Sequence, residues 1–129
     1  MGWLRGRRDA EVPGGVEVAE RLIGTGRSGV SAETCELTDS ATVRRWLFEL
    51  STDRDQQLLV HRSWGSLAVV PDRKRAASVI LSDGKHSWFA VPPGADDKAD
   101  LTPEQIERVV IDALGGSSRP HWPDWRPLT

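Results

Sequence analysis

The 129 residues are the size of one domain and suffice to bury a core without metals or disulfides. A composition of 38% hydrophobic and 28% charged residues excludes disorder over most of the chain, and a net charge of −2 excludes a bulk attraction for nucleic acid. The single cysteine, Cys35, excludes an internal disulfide and a multi-cysteine metal site, and no apolar run approaches the ~20 residues that span a bilayer.

Residues 1–15 carry Gly2, Gly6, Pro13, Gly14 and Gly15 among mixed charges and read as a lead-in to a single domain over 16–129. Arg5, Arg7 and Arg8 are followed by no apolar stretch, so a secretory signal is not expected there. VEVAERLI, residues 16–23, alternates at its start like a strand while AERLI also suits a helix, and it is read as a strand that begins the domain. GTGRSGV turns the chain, and SAETCELT predicts a second strand. GTGRSG has the look of a phosphate loop but lacks the Gly-Lys-Ser/Thr ending, and a plain turn is the simpler reading.

Val43, Trp46, Leu47 and Leu50 recur at helical spacing and predict a helix over about 41–50, capped by Asp39 or Ser40. Four short strands follow at QLLVHR, LAVV, AASVIL and HSWFAV. Their connections are short, and one holds Asp-Gly, a strong hairpin signal. The span of about 57–91 therefore reads as an antiparallel meander, with helices over one side of strands that are apolar on both. Thr102, Pro103 and Gln105 form a capping-box start for a second helix over about 103–114, whose buried stripe is Ile106, Val109, Val110, Ala113 and Leu114. The tail SSRPHWPDWRPLT holds three prolines, is excluded from a regular helix, and is expected to dock through Trp122 and Trp125. The fold class is α+β, with an antiparallel sheet of four to six strands and two packed helices.

The residues that carry chemistry point to binding and away from catalysis. His61, His86 and His121 lack metal-ligand spacing, and Cys35 lies in a predicted strand with the surroundings of a small buried thiol. No catalytic residue, metal or cofactor is expected. Six acids stand between Asp96 and Leu114 against Lys98 and Arg108. Asp96, Asp97 and Asp100 lack the glycine and terminal glutamate of a calcium loop, which leaves a solvated loop or a patch for a basic partner. The chain has six tryptophans and no tyrosine, and tryptophan is enriched at interface hot spots, although most tryptophans pack in cores. Trp64, in a hairpin loop, and Trp88, on an outer sheet face, are the expected anchors.

The order of elements carries a resemblance. VRRWLFEL leads into QLLVHR, Gly65 and LAVV; an Asp-Gly hairpin and SWFAV follow; then come a helix opening LTPEQ, a glycine pair and a Pro-x-Trp-x-x-Trp tail. Over residues 58–125 this resembles Imm family 1, immunity proteins of bacterial polymorphic toxin systems. That family is α+β with a characteristic tryptophan near the C-terminus, the place of Trp122 or Trp125 here. The resemblance implies a cytoplasmic immunity protein that neutralises a cognate toxin from an adjacent gene by stoichiometric binding, a nucleic-acid deaminase being the toxin class suggested. It implies no direct contact with nucleic acid or membrane. Partner-binding residues would be Trp64, Trp88, Asp96, Asp97, Asp100, Trp122 and Trp125. The alternative is an adaptor or regulatory protein-binding domain of a secretion system.

Overall fold

The computed structural model describes residues 17–24, 31–52, 56–71 and 77–128. The expectations for the lead-in, for most of the GTGRSGV turn and for residues 72–76 lie outside them. The elements run β1 (Val18–Ile23), β2 (Ser31–Cys35), α1 (Ser40–Thr52), β3 (Gln56–Arg62), β4 (Gly65–Val70), β5 (Ser78–Ser82), β6 (Ser87–Val91), α2 (Pro103–Gly115) and β7 (Asp124–Pro127). The strands form one antiparallel sheet in the order β2-β1-β3-β4-β5-β6-β7.

The α+β class and the central meander agree with the sequence expectation, and the strand count does not: among the described residues seven strands stand where four to six were expected. The seventh is the tail. Proline excludes a helix there but tolerates an edge strand, because the outer side of an edge needs no amide donor. Trp88 faces Pro127 and Ala90 faces Trp125, so the tail pairs with β6. Leu128 N–H then donates to Ser87 O at 2.9 Å and ties the end down.

Alternation along the strands splits the sheet into two faces. One face carries the row Val60, Leu67, Leu81, Trp88 and Pro127 and packs beneath the helices. Val43, Trp46 and Leu50 of α1 and Ile106, Val109, Val110, Ala113 and Leu114 of α2 join it in one core. The other face carries Leu22, Leu59 and Ala68 as a smaller buried cluster. The central strands are therefore apolar on both faces, as their sequences require.

Local chemistry sets the element boundaries. Asp39 caps α1: its Oδ1 accepts from Thr42 N–H at 3.2 Å and its Oδ2 from Thr42 Oγ1 at 2.7 Å. These bonds hold the Asp39 carboxyl below its ordinary pKa. The capping box of α2 is complete, with Gln105 N–H donating to Thr102 Oγ1 at 3.1 Å and Thr102 N–H to Gln105 Oε1 at 2.9 Å. Asp83 shapes the β5–β6 hairpin by accepting from Lys85 and His86 N–H, both at 2.8 Å. Ser63 and Trp64 alone connect β3 to β4, and Gly65 follows at φ +141°.

Candidate partner-binding surface

The acidic loop lies between β6 and α2, and the tail strand fixes its shape. Asp124 Oδ2 accepts from Gly94 N–H at 2.9 Å. Arg126 donates through Nε to Asp97 Oδ1 at 2.8 Å and through Nη2 to Ala95 O at 2.9 Å. Within the loop, Asp96 Oδ1 accepts from Lys98 N–H at 2.8 Å. Asp96, Asp97 and Asp100 are all exposed, and the structure brings these three predicted site residues together. Asp97 keeps 70% of its side chain in solvent despite its ion pair with Arg126. β7 therefore does more than close the sheet, because it presents the carboxylates outward on a fixed backbone.

Two clefts flank Ala77. The first, of about 230 Å³, is lined by Ile80, Phe89, Ala99 and Leu128, with Asp97 and Asp100 on its wall. The second, also about 230 Å³, lies between the helices and is lined by Leu47, Phe48, Val69, Pro103 and Ile106. Arg44 and Glu107 bridge that cleft as an ion pair at 2.8 Å. Among the described residues, the large apolar side chains that stay exposed are Phe48, at 73%, and Leu128, at 46%. Each lines one of the clefts.

The four predicted tryptophans sit elsewhere, and none of them lines either cleft. All are half-buried against the helix-side core. Trp64 was expected to be an exposed loop anchor, yet its ring packs inward and its Nε1–H is buried with no acceptor among the described residues. Trp88 was expected on an outer face; the register puts it on the helix-bearing face, with the Arg119 guanidinium 5.3 Å above its ring. Trp122 lies under Arg108 at 4.5 Å, and Trp125 donates from Nε1 to Pro120 O at 2.9 Å. The two tail tryptophans thus dock the tail, as expected of them.

Sequence reasoning missed Phe48 and Leu128. Phe48 left a signal, because it is apolar yet falls off the Val43–Trp46–Leu47–Leu50 stripe of its helix. Leu128 left none, since its role depends on a strand hidden in a proline-rich tail.

A polar row crosses the face opposite the helices. His61 Nδ1 lies 3.2 Å from Ser66 Oγ, and His61 Nε2 lies 2.9 Å from Glu20 Oε1. The residue order is that of a serine–histidine–carboxylate relay. Exposures of 2%, 4% and 9% for Glu20, His61 and Ser66 make it a buried network joining β1, β3 and β4, and neither cleft includes it. Its visible work is to bond polar groups inside the sheet, where each would otherwise be costly. His86 and His121 are both exposed, and Cys35, whose thiol is pushed up chiefly by burial, is not activated as a nucleophile. Among the described residues no group of three His, Cys, Asp or Glu is placed to hold a metal ion, and no helix is long and apolar enough to cross a membrane. Comparison with protein-family models, with curated proteins and with solved structures gave no match.

Proposed function

We propose that this chain is an immunity protein that neutralises a cognate toxin by stoichiometric binding, without catalysis or cofactor. The observation that carries the reading is the surface around Ala77: two apolar clefts, each with an exposed large side chain, beside a clamped loop of three exposed carboxylates. Tight protein interfaces combine a few apolar anchors in pockets with a charged rim, and this surface has both parts. The carboxylates suit a basic partner, and a toxin that acts on nucleic acid has a basic substrate cleft for an acidic loop to mask. The ordered likeness of residues 58–125 to Imm family 1 supplies the toxin context and suggests a deaminase as its chemistry.

The test is co-expression with the product of the adjacent gene, scoring complex formation and rescue of growth together. A complex of fixed stoichiometry with rescue supports the proposal. A folded chain that neither binds that product nor rescues growth sinks it.

A further inference from the structure

The two edges of the sheet are treated differently. β7 closes one with only four residues, ends it on Pro127, and spends its side chains on the acidic loop. Among the described strands β2 forms the other edge. Its residues Ser31, Ala32, Glu33 and Thr34 are exposed, and its five positions hold no lysine, arginine or proline. Among the described residues its strand neighbour is β1 alone. Alternate N–H and C=O groups of such a strand point away from the sheet and form a template for another strand.

Charge narrows what fits there. Residues 31–39 contain Glu33, Glu36 and Asp39 and no basic residue. Glu33 accepts from Arg21 at 2.7 Å, but Arg21 also donates to Glu49, so one guanidinium serves two carboxylates. Glu33 keeps 50% of its side chain exposed against 12% for Arg21, which leaves it accessible to a second cation. Antiparallel pairing of β2 with a second copy, centred on Glu33, would set Glu33 against its own equivalent, and facing like charges destabilise a strand pair.

We infer that the outer edge of β2 is a strand-addition site for an extended segment of a partner protein bearing lysine or arginine opposite Glu33. Main-chain bonds supply the affinity, and the cation facing Glu33 supplies register and selectivity. This site is separate from the surface around Ala77 and stands whether or not the partner is a toxin.

The test is an NMR titration of the full ¹⁵N-labelled chain with the capped peptide Thr-Val-Lys-Val-Thr, set against its counterpart Thr-Val-Glu-Val-Thr. The expected result is a set of amide shifts confined to β2 and its neighbour β1, with the lysine peptide bound about fivefold more tightly. N-methylation of alternate peptide amides abolishes the shifts. Glu33→Lys reverses the preference. Glu33→Gln, which leaves Arg21 paired with Glu49, erases it and serves if the reversal variant fails to fold. Equal binding of the two peptides overturns the inference, as does the lack of any shift in β2 at millimolar peptide. A dimeric free chain whose β2 amides are already protected from exchange would give the edge to a second copy and also overturn it.

Discussion

At Gly65 the backbone itself demands a missing side chain. A Cβ at this position would stand 2.4 Å from Ser82 O, a main-chain atom of the neighbouring strand, and φ is +141°. Both the clash and the dihedral penalise any L-residue, and neither is relieved by a rotamer change. Gly65→Ala is expected to cost about 2 kcal/mol or more, read as a lower urea midpoint at unchanged slope. Gly84→Ala serves as the control: φ is +94° there as well, but nothing lies within 4 Å of the added carbon, so its loss is smaller. Three carboxylates contribute to the acid response. Glu17 is held below its ordinary 4.5 chiefly by Arg62, Asp39 below 3.8 by Thr42, and Asp83 below 3.8 by the His86 and Lys85 amides. A folded pKa below the unfolded one means that the unfolded chain binds protons first. Their contribution is therefore complete above those ordinary values and is lost as pH falls through the lowered ones. Stability should decline as pH falls below about 5. Asp83→Asn should make the chain less stable near neutrality and flatten this decline, measured as urea midpoints across the range.

The elements that the sequence made legible are those whose signals are local. α2 carries its cap, its N1 proline and its stripe within thirteen residues, and it forms over Pro103–Gly115. The meander strands are apolar runs separated by turn residues, and each forms within about two residues of its expected place. β7 was illegible because strand pairing is a long-range property. Nothing in Asp-Trp-Arg-Pro specifies that β6 has an open edge, and two neighbouring prolines argue against a strand from sequence alone. What secures β7 is tertiary: Trp125 packs on the core beside Ala90 and bonds Pro120 O. Trp125→Ala should cost roughly 2–3 kcal/mol, since a half-buried indole loses both packing and its hydrogen bond. Trp125→Phe keeps most of the packing and loses the donor, so about 1 kcal/mol is expected. Thermal melts of the two variants separate these contributions. Equal losses would mean that the hydrogen bond, and not the ring, holds the tail.

For the whole molecule, the acidic half of the candidate surface was legible and the apolar half was not. Asp96, Asp97 and Asp100 announce themselves by composition. The clefts arise only where β4, β5, β6, α1, α2 and the tail end meet around Ala77, which no single segment encodes. The two halves make separable contributions to binding. Phe48 and Leu128 are exposed, so Phe48→Glu and Leu128→Asp should change folding stability by no more than about 0.5 kcal/mol. Each should weaken the partner complex at least tenfold, about 1.4 kcal/mol, through faster dissociation, because buried anchors govern how long a complex lasts. Asp96→Asn with Asp100→Asn should act mainly on association. It should slow the on-rate at low salt and lose that effect near 1 M salt, where the screening length falls to about 3 Å. Surface plasmon resonance at two ionic strengths resolves both rates. If Phe48→Glu and Leu128→Asp left dissociation unchanged while the complex persisted, the partner would be seated on another face of the sheet, and the clefts around Ala77 would have no part in recognition.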